Sequence, residues 1–127
     1  MKWIPSILLA SLFTPVAAAS DQSEARWGAI ALGGVGFGAV RGRQSEGSAT
    51  AGAIRQCEES GGAGECRVRL TYRNQCAAYT SGDDRQVGIA YAATMAAANR
   101  LAMRSCNEAA QHCQIQYAAC STASSFN

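Results

Sequence analysis

Apolar and polar residues alternate with a period of two along residues 66–73. Val68, Leu70 and Tyr72 fall on one side of an extended chain, and Arg67, Arg69, Thr71 and Arg73 on the other. Residues 113–117 alternate in the same way. Such alternation predicts strands with one buried and one wet face. Two more apolar runs, 27–32 and 35–40, flank Gly33-Gly34, a dipeptide suited to a two-residue hairpin turn. Residues 76–80 and 86–91 make a second hairpin candidate around turn residues 81–84. Between these strands the period changes. Ala49, Ala53 and Cys57 recur every four residues after Ser45, as Ala98, Ala102 and Cys106 do after Thr94. A hydroxyl N-cap followed by a stripe of small residues predicts a helix sitting close on a sheet, here over 46–58 and 94–108. Arg55 and Arg104 lie in the last turns, where a cation suits the negative helix end.

Displacing the chain by 49 residues brings Ser45 onto Thr94, Ala49 onto Ala98, Ala53 onto Ala102, Arg55 onto Arg104 and Cys57 onto Cys106. Each half then reads strand, strand, helix, strand. The expected fold is α+β: a mostly antiparallel sheet with two helices packed on one face, built from two strand-strand-helix-strand repeats. A chain of 127 residues holds one such domain. It is expected over 27–120, between a flexible lead-in at 20–26 and a flexible tail at 121–127.

Six cysteines turn a small core into a stapled one. Their spacing, Cys57-x8-Cys66-x9-Cys76 and Cys106-x6-Cys113-x6-Cys120, holds no C-x-x-C pair. The single histidine, His112, does not complete a zinc set, so no metal is expected. Six thiols allow fifteen pairings, and the repeat selects among them. In each half one thiol ends the helix and another begins the next strand. Cys57–Cys66 and Cys106–Cys113 are therefore expected as equivalent local bridges, which leaves Cys76–Cys120. The amino terminus agrees with an oxidising compartment. Met1-Lys2-Trp3 precedes the apolar residues 4–13, then Pro15 and Ala17-Ala18-Ala19, the pattern of a secretory leader cut after Ala19. Its apolar stretch falls well short of the ~20 residues that span a bilayer, so a periplasmic or secreted protein without a membrane span is expected.

Charge adds little. The formal net charge of +2 is too small to argue for nucleic acid, and exposed aromatics for base stacking are not evident. The only lysine, Lys2, and both prolines lie in the leader, so the basic groups of the mature chain are all arginines.

The block W-G-A-I-A at 27–31, the A-x-x-x-A-x-x-x-C helix end, C-R-V at 66–68, N-Q-C-A-A at 74–78, the second helix ending in Cys106 and the closing C-Q-I…C resemble the bacterial domain-of-unknown-function family 4189. The resemblance covers about 27–120. It implies a small exported bacterial domain without established catalytic residues, and brings no site residue with it. The glycine-rich run 33–38 and the six-residue gap between Cys106 and Cys113 depart from the pattern.

Little in the chain points to catalysis. Gly34-Val35-Gly36-Phe37-Gly38-Ala39 fits the letters of a dinucleotide-binding turn, but Val40-Arg41-Gly42-Arg43 follows where a helix would open. Hairpin glycines, and no cofactor, are expected. His112 beside a half-cystine reads as a turn histidine. Asp83-Asp84 reads as a solvated hairpin tip, two acids against the ~6–8 oxygens calcium takes. Glu58, Glu59 and Glu65 read as loop charge. The feature with binding potential is a row of arginines: Arg67, Arg69 and Arg73 along one strand, with Arg41 and Arg43 extending it across the sheet. The expected function is an exported non-catalytic binding module whose arginine-bearing sheet face docks an acidic partner, another protein of the envelope or the exterior. An immunity or inhibitor protein is its narrower form. A small cell-envelope hydrolase and a structural envelope or surface component are the alternatives, and the oligomeric state stays open.

Overall fold

A computed structural model describes residues 26–122; the leader expected over 1–19, most of the lead-in and residues 123–127 lie outside them. The elements run β1 (Trp27–Gly33), β2 (Gly36–Arg43), α1 (Glu46–Cys57), β3 (Arg67–Arg73), β4 (Gln75–Ser81), β5 (Val87–Ala92), α2 (Met95–Asn107) and β6 (Gln114–Ser121). A π turn at Glu58–Gly62 follows α1, and a 3-10 turn at Asp83–Arg85 joins β4 to β5.

The strands form two antiparallel three-stranded sheets of like order, β2-β1-β3 and β5-β4-β6. The α+β class and the strand-strand-helix-strand order of each half are as expected. The sheet is not continuous, however. The chain leaves β3 and enters β4 through one residue, Asn74, held left-handed at φ 51°. Its N–H donates to the Arg26 carbonyl and its side-chain oxygen accepts from the Arg26 N–H. That corner lays the second sheet on the first instead of extending it. The two helices consequently share no face: α1 packs on β1, β2 and β3, and α2 on β4, β5 and β6. Between the sheets, Ile30, Tyr72 and Ala77 are buried among Phe37, Leu70, Tyr79, Ile89 and Tyr117. β2 lies alongside β6 and β3 alongside β5.

Both helices start as their caps dictate. Ser45 Oγ accepts from Ser48 N–H at 3.1 Å and Thr94 Oγ1 from Ala97 N–H at 3.2 Å, each cap worth about 1 kcal/mol. The small-residue stripe lets the helix backbone reach the sheet, and Ala49, Ala53, Cys57, Ala98, Ala102 and Cys106 are fully buried. The sheet answers with a glycine in each half. A Cβ on Gly38 would overlap the Ala53 carbonyl, and one on Gly88 the Ala102 carbonyl. The glycines of 34–38 thus serve the hairpin and helix packing.

Three bridges close the fold, Cys57–Cys66, Cys76–Cys120 and Cys106–Cys113, with no free thiol among the described residues. The ends of the domain extend further than expected. Arg26 is tied to Asn74, and Ser121, placed in the tail, is a buried residue of β6 whose Oγ accepts from Gly42 N–H at 2.9 Å. No helix among the described residues is long and apolar enough to cross a membrane.

Candidate functional site

The arginine row does not survive the strand it was drawn on. β3 pairs with β1 as Ile30↔Leu70 and then Ala31↔Val68, so Arg69 is an extra residue, a β-bulge. A bulge moves every later side chain to the other face. Val68 therefore packs with the helix-side cluster, while Leu70 and Tyr72 enter the layer between the sheets. The five arginines separate accordingly. Arg73 lies over the Trp27 ring, 6.0 Å from its centroid, at the far end of β1. Arg41 donates to the Cys120 carbonyl at 3.3 Å, tying β2 to β6. Arg43 reaches Ser48 Oγ on α1 at 3.5 Å. Arg67 is exposed opposite Leu32. Arg69 alone turns into a cavity.

That cavity, a cleft of about 500 Å³, opens where the β1–β2 and β4–β5 turns meet at one end of the sandwich. Its apolar wall comes from both sheets: Leu32, Val35 and Phe37 from the first hairpin, Tyr79 and Val87 from the second. Phe37 stacks on Tyr79 with ring centroids 5.3 Å apart at 26°, and meets the Tyr117 ring edge-on at 5.8 Å. Val35 at the turn tip is 77% exposed. Two cations face this wall, Arg69 from the bulge and Arg85 from the second turn.

Sequence reasoning did not single out Arg85. It falls between the turn residues 81–84 and the run 86–91, outside any periodic segment. Its backbone is unusual: Asp84 and Arg85 are both left-handed, at φ 58° and 59°. Aspartate tolerates that region better than arginine does, and two successive non-glycine residues there store strain of a kind that concentrates at functional sites.

The acids nearby are otherwise engaged or set aside. Asp83 Oδ2 lies 2.7 Å from His112 Nδ1, and the Asp83 N–H donates to the Gln111 carbonyl. The hydrogen bond and charge of Asp83 raise the His112 pKa above its ordinary 6.5. His112 is thus a turn histidine with a carboxylate partner. Glu65 lies beside Gly34 at the rim. Neither the Arg69 nor the Arg85 side chain has a hydrogen-bond or ion-pair partner among the described residues. Deeper between the sheets, the Tyr72 hydroxyl is buried without a partner. Burial pushes its pKa up, and the adjacent Tyr117 adds to the rise.

Among the described residues no three His, Cys, Asp or Glu side chains gather where they would hold a metal ion. Glu58 and Glu59 are exposed on the π turn after α1 and Asp84 in the turn after β4.

No curated protein and no solved structure matches this chain. The family model described as Domain of unknown function (DUF4189) matches residues 27–120, from the first residue of β1 to the last cysteine. With nearly the whole described structure inside that match, the chain belongs to the DUF4189 family.

Proposed function

We propose that the chain, exported by a leader cut after Ala19 and built by duplication of one unit, is a non-catalytic binding domain that docks an acidic partner. The docking point in this reading is the cleft between the two turns, not a flat sheet face. The observation that carries it is the pair of guanidinium groups, Arg69 and Arg85, facing one cavity with no carboxylate of their own. Guanidinium groups form forked, charge-assisted bonds to carboxylates and phosphates, and complementary charge steers encounter. Three bridges in a domain this small suit a compartment where thiols oxidise. An immunity or inhibitor protein is the narrower form.

Affinity capture from the native periplasm or medium tests it. The mature protein and an Arg73→Ala variant are expected to retain the same partner, and an Arg69→Ala/Arg85→Ala variant to lose it. Equal capture by all three would overturn the reading. The open outer edge of β5 favours a second reading, a surface component whose sheet continues into copies of itself. Light scattering over a concentration series separates the two.

A further inference from the structure

Resting on that reading, we infer that the group the cleft selects is a carboxylate borne on an aromatic or bulky apolar body, not an acidic surface in general. The cleft has two chemically distinct parts. Its mouth carries Arg69 on the bulge of β3 and Arg85 on the second turn. One stands on a strand of the first sheet and the other in the turn that joins two strands of the second, and the Glu65 carboxylate beside Gly34 leaves both of them unpaired. A carboxylate has about four lone-pair sites and accepts from two forks at once. Its wall is different in kind: the stacked Phe37–Tyr79 pair, with Leu32, Val35 and Val87.

A bare anion meets the arginines and leaves that wall wet. A neutral aryl compound covers the wall and leaves two guanidinium groups without a charged acceptor. Only a molecule with both parts answers both. Apolar walls with a few convergent polar groups are the usual form of small-ligand sites, and about 500 Å³ lies within their usual range of ~300–1,000 Å³. A free aryl or alkyl acid fits that description. So does the last residue of a partner chain with a large apolar side chain, captured by its terminal carboxylate.

Titration of the mature protein followed by chemical shifts of the Arg69 and Arg85 side chains and the Phe37 and Tyr79 rings tests this. The probes are acetate, 3-phenylpropanol, 3-phenylpropionate, a short peptide ending in Phe with a free carboxylate, and the same peptide amidated. 3-Phenylpropionate is expected to bind at least tenfold tighter than acetate or 3-phenylpropanol. That margin should vanish in Arg69→Gln/Arg85→Gln. Val35→Ser, at an exposed position, should weaken 3-phenylpropionate severalfold and leave acetate unchanged. A peptide acid that binds more tightly than 3-phenylpropionate, with its amide failing, assigns the source to a chain terminus. The free acid binding as tightly as the peptide acid, or more so, assigns it to a small molecule. If no aryl acid outbinds acetate while partner capture still depends on Arg69 and Arg85, this inference falls and the proposed function stands. If capture is also indifferent to both arginines, both fall.

Discussion

The two halves of the molecule share an order of elements and differ in what they spend it on. Common to both are the capped helix start, the Ala-Ala-Cys stripe, the close-approach glycine, the bridge from helix end to next strand, and a bulge at matching places. These are demands of backbone geometry. The differences sit where geometry leaves a choice. Trp27 faces Arg73 across β1 and β3, and at the matching place Cys76 faces Cys120. One half closes that end with a cation over a ring and the other with a covalent bond. The bulge residue is Arg69 in the first half and Gln116 in the second. A two-residue turn at Gly34-Val35 corresponds to the longer, strained turn bearing Arg85.

The outer edges differ as well. On β2, Phe37 N–H donates to Ser60 Oγ at 2.8 Å and Ala39 N–H to Gln56 Oε1 at 3.1 Å, so side chains cap the edge. The 49-residue displacement puts Ser105 and Ala109 at those places, and on β5 a side-chain bond runs instead from Thr80 Oγ1 to the Gly88 carbonyl at 3.1 Å. The cleft is asymmetric by substitution, not by fold. Both of its cations stand at positions where the other half has something else.

The largest expected effect comes from the one bridge without a counterpart. Cys76–Cys120 spans 44 positions and each local bridge fewer than ten. Chain-entropy arithmetic assigns the long loop about 4 kcal/mol and each short one about 2.5 kcal/mol. Against a total of roughly 5–15 kcal/mol for a domain of this size, the difference is measurable. In urea unfolding, Cys76→Ala/Cys120→Ala should lose more stability than Cys57→Ala/Cys66→Ala or Cys106→Ala/Cys113→Ala. Equal losses would mean that the first half's Trp27–Arg73 contact already holds that end closed.

Next in size is the glycine pair. Gly38→Ala and Gly88→Ala each force a Cβ against a helix carbonyl, a clash that relaxes only by lifting the helix. Overpacking of this kind costs about 1–3 kcal/mol, and the two variants should lose similar amounts. Gly47→Ala is the contrast, since a Cβ there meets nothing within 4 Å and the position is helical. It should gain a few tenths of a kcal/mol up to about 1. A large loss in only one half would show that the matching glycines do unlike work.

The elements that obey a period were readable in the letters. Ser45 and Thr94 bound their helices, the small-residue stripe told which face was buried, and matching cysteine places chose three bridges out of fifteen pairings. What escaped is carried by single residues that leave no period. A lone Asn74 at φ 51° separates two sheets, yet in the sequence residues 66–80 look nearly continuous. One extra residue at Arg69 reverses the faces of half a strand, which broke the arginine row and brought Arg69 into the cleft. Arg85 reaches the site through left-handed backbone dihedrals that an arginine's identity does not announce.

The smallest expected effect sharpens the asymmetry at the cleft end. Among the described residues the ion pair at that end, His112 with Asp83, braces the second turn, and both side chains are well exposed. Asp83 raises the His112 pKa above 6.5 in the folded chain, while the unfolded chain keeps the ordinary value. A group whose pKa rises on folding binds its proton more tightly in the native state, so it adds stability that is fully present below about 6.5. The contribution is lost as pH climbs through the raised folded value. Urea midpoints of the mature protein and of His112→Gln should therefore differ most near pH 5–6 and converge toward pH 8. Solvent screening keeps the gap small. A gap that stays constant from pH 5 to 8 would show that the His112–Asp83 contact braces the turn without its charge.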